Sequence, residues 1–248
     1  MRLFTLRWLA AGLLANVPFA AWSQTNGVPV LLELFTSEGC SSCPPADALL
    51  QKMDHDQPVA GAALIVLSEH VDYWNNGGWR DPFSSHSLTE RQEEYAQRLG
   101  AAEIFTPQLV VDGVRQLVGS NWQAARQAIT AAAAQAKVPV TLTLQPERNG
   151  SRMQVTTAAV PAKAEVYLAV ARDHTAKHIG GGENAGRDLA HVAVAESVRR
   201  IGSVRSGEEF LKEIELRPAQ AGEGKSRVIV FLQDARSHRI LGVAQTVR

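Results

Sequence analysis

Apolar and polar positions along this chain fall into runs that predict most of its elements. Pro29-Val-Leu-Leu-Glu-Leu-Phe35 is continuous and short, as expected of a buried strand. Cys40-Ser-Ser-Cys43 follows, then Pro44-Pro-Ala-Asp-Ala-Leu-Leu50. Proline suits a first helical turn, whose N–H groups have no intrahelical acceptor, and Leu49, Leu50 and Met53 recur at helical spacing. A helix is therefore predicted to open at the second cysteine. A second apolar run, residues 62–67, predicts a parallel strand and a β-α-β unit.

The next connection is rich in Trp, Gly and Asn from His70 to Trp79. It turns helical over residues 88–99, with Ser87 as a candidate cap and Glu90 three positions on. Thr106-Pro-Gln-Leu-Val-Val111 predicts a third strand, and Asp112-Gly113 a tight hairpin into residues 115–118. Asn121 then caps an alanine-rich helix running to about Lys137. The order β-α-β, helical insertion, β-hairpin, helix is that of a thioredoxin-like α/β fold with its dithiol at the first strand-to-helix junction. The competing assignment is another α/β sandwich with an incidental cysteine pair.

Beyond Val138 the pattern becomes β-type: residues 140–144, 153–160, 164–171, 191–198, 228–233 and 240–247, with turns such as Arg148-Asn-Gly150. This predicts a smaller antiparallel β-rich, sandwich-like domain. The expected organisation is a thioredoxin-like domain at 27–137 and a β-rich domain at 138–248, a division that 248 residues allow.

The first 23 residues stand apart. Arg2 and Arg7 precede an apolar stretch, and Ala21-Trp-Ser23 offers small residues before a cut ahead of Gln24, the layout of a secretory signal peptide. An uncleaved anchor is the alternative, but the run is shorter than the ~20 residues a span needs. The mature chain is expected in the periplasm or secreted, with no membrane attachment after cleavage. With 25 basic and 25 acidic residues it carries no net field to draw it to nucleic acid or an anionic membrane.

Export changes how the two cysteines are read. Disulfide frameworks join distant segments, whereas this pair closes almost no loop and constrains the unfolded chain weakly. Redox chemistry explains it better. A helix N-terminus stabilises a thiolate through its free N–H groups and dipole. Cys40 is expected to be the exposed nucleophile and Cys43 the resolving thiol, with the Ser41 and Ser42 hydroxyls as donors and Glu38 opposing ionisation. A Cys-x-x-Cys pair is also half of a structural zinc site, but no second ligand pair lies at close spacing.

Three further groups join the candidate site. Thr106 and Pro107 open the third strand, where a thioredoxin-like chain presents backbone to substrate; proline at a strand start is also ordinary punctuation. His70, with Tyr73 and Trp74, follows the second strand, at the carboxyl end where ligands gather. His70 is expected to exchange protons with the thiols or to complete a metal site, unless it and the tryptophans only pack the insertion. Gly180-Gly-Gly-Glu-Asn-Ala-Gly-Arg187 lacks the Gly-Lys-Ser/Thr ending of a phosphate loop. It is either a plain connection or a loop that sets Glu183, Asn184 and Arg187 over an interface.

Taken together, Phe35-Thr-Ser-Glu-Gly-Cys-Ser-Ser-Cys-Pro-Pro-Ala-Asp47, His70-Val-Asp-Tyr-Trp74, Gly78-Trp-Arg-Asp-Pro-Phe83, Thr89-Glu-Arg-Gln92, Thr106-Pro-Gln-Leu-Val-Val-Asp-Gly113 and Gly182-Glu-Asn-Ala-Gly-Arg187 resemble the secreted bacterial family called domain of unknown function 1223. The resemblance spans nearly all of the mature chain. It implies a thioredoxin-like domain with a β-rich extension, and it brings no substrate. Asn75-Asn-Gly77 stands where an acidic residue is expected.

The leading expectation is an exported thiol–disulfide oxidoreductase acting on protein or peptide thiols. Cys40, Cys43 and His70 would be catalytic, and Thr106, Pro107, Tyr73 and Trp74 would bind substrate, with no cofactor and an upstream redox partner as a further candidate. The alternatives are a copper-handling protein using Cys40, Cys43 and His70, and a non-enzymatic partner-binding module.

Overall fold

A computed structural model of the protein describes residues 27–148, 150–217 and 224–248; the signal-peptide assignment at 1–23 lies outside them. The first strand, β1 (Val28–Thr36), buries its last seven residues, and β2 (Ala62–His70) buries all nine. They pair in parallel around α1 (Pro44–Asp56). Next come α2 (His86–Leu99), the short strands β3 (Gln108–Val111) and β4 (Arg115–Val118), and α3 (Trp122–Ala133).

Local signals for these elements act as their chemistry suggests. The carboxamide oxygen of Asn121 accepts the Ala124 N–H at 3.1 Å and caps α3. Asp112 and Gly113 both adopt positive φ in the β3–β4 turn. A Cβ on Gly113 would lie 2.0 Å from the His238 carbonyl oxygen, so that turn requires glycine twice over. The cap of α2 is Ser85, not Ser87, and its side chain makes no capping bond.

The remaining strands are β5 (Val140–Glu147), β6 (Gly150–Thr157), β7 (Ala164–His178), β8 (Asp188–Val204), β9 (Leu211–Leu216), β10 (Ser226–Asp234) and β11 (Ile240–Val247). Eight strands form one mixed sheet in the order β11-β10-β7-β8-β2-β1-β3-β4, and β5-β6-β9 form a second sheet. The expected thioredoxin-like α/β fold with a helical insertion and a separate β sandwich is therefore corrected. Among the described residues the chain is mostly β, with eleven strands and three α-helices, 20% helical. The physical reason is at β2. Its edge does not end a small sheet but takes up β8, in parallel through Ser68 and Val194, and the sheet runs on.

Alternation along β1 assigns the helices to faces. Glu33 and Phe35 meet Arg91 and Tyr95 of α2, whereas Thr36 meets Asp47 of α1. The three-stranded sheet covers another part of the large one. Met153, Val155, Ile214 and Leu216 pack with Val166, Leu168, Val230 and Leu232 in a second apolar core.

Candidate functional site

The site grows from the carboxyl end of β1. There the chain turns through Ser37-Glu-Gly39 into Cys40 and Cys43, which form a disulfide at the N-terminus of α1. The carbonyl of Cys43 accepts the N–H groups of Ala46 and Asp47, so the helix begins directly at the second sulfur.

Thr106 and Pro107, joined by a cis peptide, lie against this pair. The Thr106 hydroxyl donates to Cys40 Sγ at 3.3 Å and accepts the Trp74 indole N–H at 2.8 Å. The Ser42 hydroxyl is also 3.3 Å from Cys40 Sγ, while Ser41 is engaged through its backbone N–H instead. Tyr73 hydrogen-bonds Gln92 and is about one-third exposed. Cys40, Cys43, Thr106, Pro107, Trp74 and Tyr73 therefore share one neighbourhood.

The loop between β7 and β8 reaches the same place. Asn184, 1% exposed, donates to the carbonyls of both Glu38 and Cys40 at 2.9 Å. The carboxylate of Glu183 accepts the Ser41 N–H at 3.1 Å, and Arg187 holds the Asn184 carboxamide oxygen at 3.0 Å. Glycines let the loop press on the 70s connection, since a Cβ on Gly181 would stand 2.4 Å from the Gly78 carbonyl oxygen. Glu183, Asn184 and Arg187 thus sit over the dithiol segment itself. In consequence Cys40 is not the exposed nucleophile expected from its place in the chain, because both cysteines are 0% exposed.

Behind the disulfide lies a group of buried ionisable side chains. His70 Nδ1 and Asp81 Oδ2 are 2.7 Å apart, and Asp81 also accepts the N–H groups of Glu38 and Phe83. Burial alone would raise the Asp81 pKa, but the His70 charge and these hydrogen bonds outweigh it and hold the carboxyl below its usual range. Asn75 has its own task, since its carboxamide oxygen accepts the Asp81 N–H. Trp79 donates to Glu38 Oε2 at 2.8 Å.

His191, on β8, completes the group. Its ring packs edge-on against His70 with centroids 4.8 Å apart, and Nε2 and Nδ1 lie 3.7 Å from Glu38 and 3.8 Å from Asp47. These are ion-pair distances, too long for hydrogen bonds. Burial would lower the His191 pKa, yet the two carboxylates outweigh it and raise it to about 9.

His191 and Asp81 are the functional candidates the sequence reading missed. His191 opens an alternating β-run and reads there as one more strand residue. Asp81 lies within a recognised motif, but its role depends on the fold of the connection. As for the copper set, Cys40 and Cys43 bond each other and His70 turns Nδ1 to Asp81. Among the described residues no group of three or more His, Cys, Asp or Glu is placed to hold a metal ion.

Comparison with known proteins gives a family and no activity. No curated protein matches. A crystal structure of a protein from Agrobacterium tumefaciens is 26% identical, with a TM-score of 0.72, over 90% of this chain and 95% of that one. A β-glucuronidase from Bacteroides uniformis is 12% identical over 45% of this chain and 12% of its own, and its TM-score of 0.22 carries no argument. The family described as protein of unknown function DUF1223 matches residues 31–233, and the chain belongs to it.

Proposed function

We propose that the protein is an exported thiol–disulfide oxidoreductase acting on protein or peptide thiols. The observation that carries the reading is the Cys40–Cys43 disulfide at a helix N-terminus, with a hydroxyl donor, Thr106, on Cys40 Sγ. A thiolate released at Cys40 would meet the Thr106 and Ser42 hydroxyls, and one released at Cys43 the helix N-terminus. Both arrangements favour the charged sulfur. Two cysteines so close in sequence add little to stability, which leaves electron exchange as their use.

In this reading a substrate thiolate attacks Cys40 Sγ, the Cys40–Cys43 bond breaks, and Cys43 leaves as a thiolate. The second substrate thiolate then attacks its partner sulfur and frees Cys40. Thr106, Pro107 and Trp74 line the approach, and the Glu183–Asn184 segment must lift first, because the sulfurs are closed to solvent. A Cys43→Ser variant incubated with a peptide disulfide should accumulate a mixed disulfide at Cys40, and Cys40→Ser should not. Absence of any adduct, with the loop opened by Asn184→Ala, would overturn the reading.

A further inference from the structure

The group behind the disulfide contains more buried polar capacity than the fold uses. Glu38 Oε1, Asp47 Oδ1, His70 Nε2 and both ring nitrogens of His191 are buried and have no hydrogen-bond partner among the described residues. Their residues are at most 5% exposed. Leaving such atoms unpaired in an interior is costly, so a set of them in one place calls for a use beyond packing. Its position suggests that use: Glu38 is two residues before Cys40, and Asp47 is one helical turn after Cys43.

We propose that His191, held between Glu38 and Asp47, is the proton store of the Cys40–Cys43 couple. The proposal rests on the redox reading above and adds the residue that manages its protons. Opening the disulfide places two electrons on two sulfurs: Cys40 is freed as a thiolate held by the Thr106 and Ser42 hydroxyls, and the Cys43 thiolate takes one proton to become a thiol. Once the loop closes again over the reduced pair, water reaches neither sulfur, whereas a proton held on His191 is already inside. Reduction draws that proton toward the sulfur freed at Cys43. When the disulfide forms again, the electrons leave on the substrate sulfurs and the proton returns to the imidazole.

Several charged groups set the balance at His191. Glu38 faces it from the β1–α1 turn and Asp47 from α1, and both favour the imidazolium. His70 of β2 touches its ring and is itself tied to Asp81. Phe83 packs on both histidines, and from β7 the Arg172 guanidinium lies 6.0 Å from the Phe83 ring centroid. A pKa of about 9 then leaves His191 charged at neutral pH, with its proton in place before a thiolate appears in the site. His191 acts here as a positioning residue for charge. No contact with substrate is required of it.

The test is a histidine NMR titration of the full mature protein, oxidised and reduced with a phosphine, with the reduction potential measured across pH on the same samples. The His191 signal, assigned by its loss in His191→Gln, should titrate near 9 when oxidised. On reduction it should move by about one pH unit or more, as expected for a charge appearing in the same buried site. The break it causes in the potential-against-pH curve should vanish in His191→Gln. Asp47→Asn keeps the ring and should lower its midpoint, which covers the case of a misfolded glutamine variant. Equal midpoints in the two redox states, or superimposable curves for wild type and His191→Gln, would overturn the proposal. A protein that shifts as expected yet exchanges with no peptide thiol would sink the redox function and leave the proton linkage standing. One equivalent of metal bound and broadening the His70 and His191 signals would also overturn the store.

Discussion

Glu69 shows what a single buried charge does in this protein. It sits beside Glu33 under the Arg91 guanidinium, 0% exposed, with neither carboxylate oxygen hydrogen-bonded among the described residues. Burial, and after it the Glu33 charge, pushes its pKa well above the usual carboxylate range, and Arg91 offsets only part of this. Because the folded pKa is raised, the fold holds the proton more tightly than the open chain. Stability is then lost as pH rises from the ordinary carboxylate range toward the folded value. Glu69→Gln removes the titration and keeps the shape. It should be more stable than wild type at pH 8, with the gap closing near pH 4. Urea unfolding at the two pH values measures it. Arg91 behaves oppositely. It pairs with Glu33, and its guanidinium carbon lies 5.0–5.2 Å from the ring centroids of Tyr95, Tyr167 and Phe231. Arg91→Met strands the Glu33 charge and should cost on the order of 3–5 kcal/mol, read from the same unfolding curves.

At the scale of elements, the β7–β8 loop decides who meets the dithiol. Two hydrogen bonds from Asn184 and one to Glu183 pin it over the Cys40 segment. Asn184→Ala removes the first two, worth on the order of 1 kcal/mol each, and should speed reduction of the disulfide by dithiothreitol about tenfold or more. An unchanged rate would mean that the sulfurs open by another route. The loop also shows where sequence reasoning stops. Cys40, Cys43, Thr106 and Asn184 were all legible as candidates, because each sits in a motif with local meaning. Burial of the sulfurs was not, since it depends on a loop 140 or so residues away folding back. Strands were found by apolar periodicity where one or both faces are buried. Among them β9 was missed, as Leu-Lys-Glu-Ile-Glu-Leu shows only two buried positions between charged ones. His191 stayed hidden for a related reason: a histidine opening a strand gains meaning only once register places it between Glu38 and Asp47.

Across the whole molecule the same limit governs the fold. Periodicity assigns strands but not their neighbours, so nothing in residues 62–67 told that β2 lies inside a sheet rather than at its rim. The long strands β7 and β8, 15 and 17 residues, carry the sheet past β2. They also carry His191 and the 180–187 loop back to the disulfide, so the site is built from both halves of the chain. Further ties cross between them: Arg227 of β10 pairs with Asp54 of α1 at 2.6 Å, and Ile240 at the start of β11 donates its N–H to the Asp112 carbonyl. A fragment covering residues 27–137 would expose the β2 edge and the apolar side chains that Ala169, Ala171, Val192 and Phe231 now cover in one continuous core. Long apolar edges of that kind pair with other chains. The fragment should therefore fail to melt cooperatively and should aggregate. The full chain, reduced or oxidised, should unfold in one transition by both far-UV circular dichroism and tryptophan fluorescence. Calorimetry of the two species makes the comparison, and a fragment with its own sharp transition would show that the sheet is two folding units joined at β2 and β8.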